Sequence, residues 1–265
     1  MTLASIDVKD VHKRFGTGSG EVVALRDIHL HIAPGEFVCL LGPSGCGKST
    51  LLNAISGFSP PSQGRIEVGG RLVSGPGPDR GMVFQEYALF PWMTVAQNIA
   101  FGLQINGHPR EAAAQEVERW LKLLRLTEFR DRYPKDLSGG MRQRVAIARV
   151  LAIDPPVLLM DEPFGALDAL SRRTLQQELV KIWSDLGKTI VFVTHSIEEA
   201  IFLADRIVVM TYRPGTIKAD LRVDMPRPRD SSTAAFNALK REIGEMVMAE
   251  QARHEEAERG GLVTD

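Results

Sequence analysis

One stretch of the sequence decides the fold: Gly42, Pro43, Ser44, Gly45, Cys46, Gly47, Lys48, Ser49 and Thr50, which read G-P-S-G-C-G-K-S-T. The apolar run E-F-V-C-L-L precedes it and L-L-N-A-I-S-G follows it, so the order predicts a strand, a glycine-rich turn and the start of a helix. The pattern G-x-x-x-x-G-K-S is typical of a loop that binds the phosphates of a nucleotide. Its glycines let successive backbone N–H groups converge on an anion, and the helix start adds positive charge at the same place.

Two side chains of this loop carry chemistry. We expect Lys48 to supply a full positive charge for the β- and γ-phosphates and Ser49 to supply a hydroxyl for Mg²⁺.

Cys46 lies inside the loop and Cys39 in the preceding strand, so a disulfide between them would bend the loop. We therefore predict two free thiols, which is usual in the cytosol.

The bulk composition restricts the class of protein. The 265 residues are 44% hydrophobic, which is enough for one sizeable core with a subdomain, and the formal net charge is −1. Lys and Arg are scattered among Asp and Glu, so we expect no nucleic-acid partner. The first ten residues lack the layout of a signal peptide, and no apolar run approaches the roughly 18 residues of a membrane span. We therefore expect the chain to reach a membrane only through a partner.

The rest of the chain predicts an α/β fold. Short alternating segments in the first third predict antiparallel strands. Residues 86–156 predict a mainly helical insertion, in which Val117, Leu121 and Leu124 share one face. The buried strands of a parallel sheet are predicted from five continuous apolar runs: F-V-C-L-L, R-G-M-V-F, P-V-L-L-M-D, K-T-I-V-F-V-T and R-I-V-V-M.

Residues 231–265 predict a C-terminal helix and a frayed tail. We expect the apolar face of this helix to pack against the body of the protein, with a partner-binding helix as the alternative. From about Arg253 the sequence is polar and contains glycine, which predicts fraying. The apolar face consists of Phe236, Leu239, Ile243, Met246 and Val247.

Two acids and a capped helix provide further candidate sites. V-L-L-M-D-E-P is an apolar strand that ends in Asp161 and Glu162, and the carboxyl ends of parallel strands form the ligand-binding edge of a sheet. There Asp161 can hold Mg²⁺, and Glu162 can polarise a water molecule aimed at a γ-phosphate. In L-S-G-G-M-R-Q-R, Ser138 is an N-cap candidate, and Gly139 and Gly140 expose backbone N–H groups. This segment predicts a second anion-binding helix start.

Three further side chains lie at or near predicted strand ends. Gln85 ends R-G-M-V-F-Q, where its amide can meet Mg²⁺ or the attacking water. His195 ends T-I-V-F-V-T-H and can reach a γ-phosphate oxygen, although a lone histidine is more often structural. Phe15 in K-R-F-G can stack on adenine, with a core aromatic residue as the alternative.

Five elements in this order resemble the ATP-binding subunit of an ABC transporter: the G-P-S-G-C-G-K-S-T loop, Gln85, L-S-G-G, M-D-E-P and T-H. The resemblance covers roughly residues 5–225 and implies an ATP hydrolase that uses Mg²⁺. The implied α/β domain spans residues 1–230 and has a P-loop NTPase core with a parallel sheet, an antiparallel β-subdomain and a helical subdomain at 86–156.

The family's roles carry over to matching positions of this sequence. The loop would contact the phosphates, and Phe15 would contact adenine. The Mg²⁺ contacts match Ser49, Gln85 and Asp161, and the catalytic residues match Gln85, Glu162 and His195. The signature motif matches Ser138, Gly139 and Gly140, and the D-loop contact to nucleotide matches Asp168. Three positions depart from the family pattern. Met141 replaces the usual Gln of the signature, Gly165 replaces the usual Ser of the D-loop, and Ser196 follows the histidine where Asp is common. None of these changes removes a charge that the chemistry needs.

Three segments narrow the resemblance to the ATPases of nitrate, sulfonate and taurine importers: G-P-G-P-D-R-G-M-V-F-Q, L-F-P-W-M-T-V and D-E-P-F-G-A-L-D-A-L-S-R. The resemblance implies a head-to-tail dimer of two copies that holds ATP between the loop of one and the signature of the other. It also implies integral membrane permease subunits, a periplasmic or extracellular solute-binding protein, and a peripheral location on the cytoplasmic face of the inner membrane. The aromatic segment Tyr87–Trp92 would form the permease groove, with core packing as the alternative.

Three other classes of protein share parts of this pattern. An ABC-type ATPase of DNA repair or chromosome maintenance would carry long coiled-coil or basic insertions, and the segment between Gln85 and Ser138 has neither. A P-loop small-molecule kinase leaves L-S-G-G and the adjacent acids without a role. A nucleotide sensor without activity is disfavoured because Glu162 is present.

Overall fold

A computed structural model describes residues 3–261, without the side chains of 19 and 257–261. The chain forms two compact units, one from the described residues of Met1–Gly77 and Gly187–Asp265, the other from Pro78–Leu186. The predicted helical insertion lies inside the second unit. In chain order the elements are β1 (Ile6–Phe15), β2 (Val22–Ile32), β3 (Phe37–Leu41), α1 (Lys48–Ser56), β4 (Gln63–Val68), β5 (Arg71–Leu72), β6 (Arg80–Val83), α2 (Val95–Ile105), α3 (Arg110–Leu123), α4 (Gly139–Leu151), β7 (Val157–Asp161), α5 (Ala169–Leu186), β8 (Thr189–Thr194), α6 (Ile197–Leu203), β9 (Arg206–Met210), β10 (Ile217–Arg222) and α7 (Ala234–Gly261).

The first unit contains the predicted antiparallel sheet, with strand order β2-β1-β4-β5. The pairing of β1 with β2 changes register three times between Val8 and Arg14, and the first two changes are bulges around Asp10 and Asp27. β1 has one extra residue between Val8 and Val11, and β2 has one between Leu25 and Ile28. The two bulges leave Asp10 and Asp27 with positive φ values of 52° and 51°.

The first unit also contains strands in the order β10-β9-β3-β8. β3 pairs in parallel with β8 and β9, and every residue of β3 and β8 is buried. This burial explains why their sequences are continuous apolar runs rather than alternating ones. β10 pairs antiparallel with β9 and was not predicted, because its sequence I-K-A-D-L-R is polar and only half-buried.

The second unit combines a parallel strand pair with helices. β6 pairs with β7 from Arg80↔Val157 to Val83↔Met160, as the apolar runs predicted. α2 begins with a capping box, in which the Thr94 hydroxyl accepts from the amide of Gln97. The predicted face of α3 is buried at Val117 and Leu121, together with Trp120. Residues 86–156 therefore contain the packed helices α2, α3 and α4.

The C-terminal helix packs on α6 and β9. Phe236 and Ile243 are buried and Leu239, Met246 and Val247 are half-buried, so the structure favours packing over a free partner-binding face. α7 continues past Arg253 to Gly261, and residues 262–265 lie outside the described part of the chain, so the frayed tail stays a prediction.

Buried arginine anchors the end of α6. The guanidinium of Arg229 donates to the carbonyl oxygens of Ile201 and Ala204 at 2.6 and 2.5 Å, which satisfies the open end of the helix. Burial lowers the pKa of Arg229 to about 10, so the group stays charged at neutral pH.

Across residues 3–261, no helix combines the length and the apolar character needed to cross a membrane. Cys39 and Cys46 are both buried free thiols, as predicted.

Candidate functional site

The predicted phosphate loop connects the end of β3 to the start of α1. Gly45 and Gly47 have φ values of 74° and 99°, which only glycine adopts without strain. Gly47 is the N-cap of α1, so Lys48 is the first residue of the helix. The first four N–H groups of a helix lack partners within it, and here they follow the glycine turn directly. The local geometry is that of an anion-binding helix start.

Lys48 is folded into the loop and is only 5% exposed. Its ammonium donates to the carbonyl oxygens of Gly42 and Pro43 at 2.8 and 2.9 Å and lies 3.7 Å from Cys46 Sγ. Burial raises the pKa of the Cys46 thiol, although Lys48 opposes the shift, so Cys46 stays neutral. Backbone N–H donors and one buried ammonium make a donor set that fits the phosphates of a nucleotide.

The turn between β9 and β10 packs closely against this loop. A Cβ atom on Gly215 would lie 2.2 Å from the Cys46 carbonyl oxygen, so only glycine fits there. Gly215 also exchanges backbone hydrogen bonds with β2, through Ala24 and Arg26. Arg213 Nε donates to the Gly45 carbonyl oxygen at 3.4 Å. This turn was not predicted from the sequence, where its local signal is the tripeptide R-P-G at residues 213–215.

A buried carboxylate of α7 holds the same turn. Glu250 accepts from Tyr212 N at 3.0 Å and from Lys218 Nζ at 2.6 Å. Burial alone would raise the pKa of Glu250, but these two hydrogen bonds, together with the positive charges of Lys218 and Arg253, outweigh it and keep the pKa below its usual range. The C-terminal helix therefore supports the turn that contacts the phosphate loop.

Phe15 and His195 also belong to the first unit. Phe15 ends β1, and the residue is 45% exposed, so it is not the core aromatic residue of the alternative interpretation. Lys13 Nζ lies 5.1 Å from the centroid of the ring. His195 is exposed and follows β8, and Ser196 caps α6 by accepting from the amide of Glu199.

In the second unit, Glu162 has an unusual backbone conformation. Its φ is 42°, in the left-handed region that a long side chain rarely adopts, and it follows Asp161 at the end of β7. Such strain persists only where surrounding structure enforces it, and it concentrates at functional sites. Both Asp161 and Glu162 are half-buried.

Gln85 and Glu162 lie close to the same glycine. A Cβ atom on Gly165 would be 3.8 Å from Gln85 Nε2 and 3.9 Å from Glu162 Oε2. The glycine that departs from the family pattern therefore leaves space beside both side chains. The expectation that Gln85 ends a strand is wrong in detail, because β6 stops at Val83 and Gln85 lies in a bend beyond it.

The signature segment forms the predicted helix start. The hydroxyl oxygen of Ser138 caps α4 by accepting from Met141 N at 3.3 Å, and Gly139 and Gly140 are the first residues of the helix. The cap uses the backbone of Met141, so the replacement of the usual Gln leaves it intact. The helix start borders a cavity of about 220 Å³ that Ser171 also lines.

Asp168 has a structural role in the second unit. Its carboxylate caps α5 by accepting from the amides of Leu170 and Ser171 at 3.1 and 3.0 Å. These bonds, chiefly those from Ser171, hold the pKa of Asp168 below its usual range. Its predicted contact to nucleotide stays a prediction.

The aromatic segment Tyr87–Trp92 contains both packed and exposed rings. The Phe90 ring packs on Phe101 with centroids 4.4 Å apart, whereas Trp92 is 69% exposed. The guanidinium of Arg142 lies over the Tyr87 ring at 5.3 Å. Core packing therefore explains Phe90 and leaves Trp92 available at the surface of this unit.

The chain matches the family profile described as ABC transporter over residues 25–165. The nitrate import ATP-binding protein of Synechocystis sp. is 48% identical over 237 residues, which cover 89% of each chain. The aliphatic sulfonates import ATP-binding protein of Bacillus licheniformis is 44% identical over 239 residues, 90% of this chain and 92% of that protein. A solved dimer of an ATP-binding cassette in a post-hydrolysis state, bound to ADP and Pi, is 33% identical with a TM-score of 0.74. That alignment covers 83% of this chain and 100% of that chain.

The loop geometry predicts a large effect of Gly47→Ala. A Cβ atom there would lie 2.7 Å from Leu25 Cδ2 and 3.1 Å from the Ala24 carbonyl oxygen, at a φ that costs an L-residue about 1–2 kcal/mol. We expect ATP affinity to fall about tenfold or more, measured by calorimetry. The matched control is Gly75→Ala, where an added Cβ meets nothing within 4 Å. Equal affinity in the two variants would contradict the preformed loop.

The contacts of Glu250 predict a pH-dependent loss of stability in Glu250→Gln. The folded state holds the pKa of Glu250 below the unfolded value of about 4.3, so the charge stabilises the fold above that pH and less as pH falls through the folded-state pKa. We expect the free energy of unfolding at pH 7 to fall by about 1–3 kcal/mol, with a smaller deficit below about pH 4. Denaturant titration measures it, and Glu245→Gln on the exposed side of α7 is the control. A deficit that is the same at all pH values would refute the charge-based account.

Proposed function

Because this chain belongs to the ABC transporter family, we propose that it hydrolyses ATP to power the import of a small oxyanion through a membrane permease. The observation that carries the proposal is the phosphate loop, with its left-handed Gly47 and its buried Lys48. The sequence identity to import ATP-binding proteins over nine-tenths of the chain supports the transport role.

We assign the nucleotide contacts residue by residue. Phosphates bind the backbone N–H groups and the ammonium of the loop, and adenine stacks on the exposed ring of Phe15. The Ser49 hydroxyl, the Gln85 amide oxygen and the Asp161 carboxylate would hold Mg²⁺, which prefers oxygen ligands. When bound, Mg²⁺ neutralises charge on the β- and γ-phosphates.

Glu162 is the general base in this proposal. Its half-buried carboxylate polarises a water molecule for attack on the γ-phosphate, and the amide of Gln85 beside it helps to orient that water. His195 donates to a γ-phosphate oxygen. The strained backbone of Glu162 supports this role, because a solvated acid at a strand end would have no reason to leave the favoured regions.

The active form in this proposal is a two-fold dimer. Ser138, Gly139 and Gly140 of one copy face the nucleotide on the loop of the other, so each surface is used twice. The start of α4 suits an anion because Ser138 accepts from Met141 and keeps its hydroxyl hydrogen to donate. The similar cassette solved as a dimer with ADP and Pi supports this arrangement.

The solute class comes from the relatives. Nitrate and aliphatic sulfonates are small anions whose oxygen atoms surround one central atom, and the proteins named for their import resemble this chain over most of its length. A solute-binding protein outside the membrane would select the solute. The permease would hold this chain at the cytoplasmic face of the inner membrane, with Trp92 at the contact.

The role of Glu162 predicts that Glu162→Gln binds ATP but hydrolyses it roughly 10²–10⁴-fold more slowly, because the general base is lost. With Mg²⁺ and ATP the variant should elute as a stable dimer in size-exclusion chromatography. Lys48→Ala should instead lose ATP binding, and Glu111→Gln, an exposed acid on α3, should behave as the native protein. Near-native hydrolysis by Glu162→Gln would remove Glu162 from this role.

Coupling to transport predicts a second result. In vesicles with the permease and the solute-binding protein, nitrate or an aliphatic sulfonate should stimulate ATP hydrolysis, and a sugar or an amino acid should not. Trp92→Ala should abolish the stimulation and leave the basal rate of the isolated chain unchanged, because Trp92 is exposed outside the catalytic residues. Leu72→Ala, which removes another exposed apolar side chain, is the control. Stimulation by sugars alone would overturn the assigned solute class.

A further inference from the structure

We propose that the antiparallel sheet carries a second, surface site for a divalent transition metal, built by Asp10, His12, Asp27 and His29. One donor atom each from Asp10, His12 and Asp27 lie within 4.8 Å of one another. His29 adds a fourth donor, with Nε2 at 2.9 Å from Asp27 Oδ1 and 4.0 Å from Asp10 Oδ1. This site is independent of the proposed nucleotide chemistry.

The spacing of the donors fits one tetrahedral ion. Ligands about 2.0–2.2 Å from zinc lie roughly 3.3–3.6 Å from one another in a tetrahedral shell. His12 Nε2 lies 3.3 Å from Asp10 Oδ1, and the two distances from His29 Nε2 fall on either side of that range. These three distances lie within about 0.4 Å of that range, and the donor atoms of Asp10, His12 and Asp27 are at most 4.8 Å apart, so a central ion would draw the four side chains together.

The charges around the cluster also favour a cation. Asp10 and Asp27 pair with the rings of His12 and His29, and an imidazole can bind a metal through a ring nitrogen. The nearby lysines are used elsewhere: Lys9 Nζ pairs with Glu67 at 2.9 Å, and Lys13 Nζ donates to the Pro60 carbonyl oxygen at 2.6 Å. Two carboxylates thus lie next to two imidazoles, and a divalent ion would neutralise the charges of the carboxylates.

The donor types select the metal. Imidazole nitrogens favour Zn²⁺, Ni²⁺ and Cu²⁺ over Mg²⁺ and Ca²⁺, which prefer oxygen ligands. His29 Nδ1 accepts from Asp10 N at 3.4 Å, so its proton is on Nε2. Binding at Nε2 would move that proton to Nδ1, so the ring would give up this long hydrogen bond and the 2.9 Å hydrogen bond from Nε2 to Asp27 Oδ1, and both groups would bind the metal instead.

The test titrates zinc into the nucleotide-free full chain after treatment with a chelator, followed by calorimetry. We expect one zinc ion per chain, and affinity about tenfold or more weaker in His12→Ala and in Asp27→Asn. The matched control is His31→Ala, an exposed histidine on β2 whose ring pairs with Asp7 at 2.9 Å. It should bind zinc as the native chain does.

Cobalt gives an independent readout of geometry. Co²⁺ bound to the native chain should show the intense visible absorption of a tetrahedral site, and the two ligand variants should lose it while their thermal unfolding without metal stays unchanged. No zinc uptake by the native chain, native affinity in Asp27→Asn, or an equal loss in His31→Ala would each overturn the proposal.

Discussion

Close backbone packing around the phosphate loop is the constraint on which the first unit depends. A Cβ atom on Gly42 would meet Cys46 Sγ at 2.8 Å, and one on Gly215 would meet the Cys46 carbonyl oxygen at 2.2 Å. Gly47 is enclosed in the same way by Ala24 and Leu25 of β2. The loop therefore cannot change shape unless β2 and the turn after β9 move with it. The N–H groups of α1 are held in place in advance, which reduces the cost of ordering the loop when an anion binds.

Most of the fold could be predicted from short sequence patterns, because burial, glycine conformation and helix capping depend on a few neighbouring residues. Each of the five continuous apolar runs forms a strand, since a strand buried on both faces has no polar side to alternate with. The loop and the start of α4 follow from glycine conformation and from a serine cap, both of which are readable over a few residues. β10 was missed because an edge strand that is half-exposed carries no such signal.

The parts of the site that the sequence did not predict depend on distant contacts. Glu250 looks like one more acid of a polar helix, and only the fold shows that it is fully buried against a turn 38 residues earlier. The positive φ of Glu162 likewise has no sequence signature, because glutamate rarely adopts that conformation unless the surrounding structure enforces it. The cluster of Asp10, His12, Asp27 and His29 forms because a bulge in β1 and a bulge in β2 shift the strand register one after the other.

The helix caps distinguish two groups of predicted nucleotide contacts. The Ser138 hydroxyl accepts from Met141 N and can still donate its hydrogen, so the cap of α4 and an anion use opposite ends of the same group. Asp168 differs, because its carboxylate accepts from two amides of α5 and its pKa is held low, which keeps a full negative charge at the helix start. A direct contact between that charge and a phosphate would be repulsive. The chemistry of its side chain therefore assigns Asp168 to the capping of α5, and any contact it makes to nucleotide must use a hydroxyl or base donor rather than the phosphates.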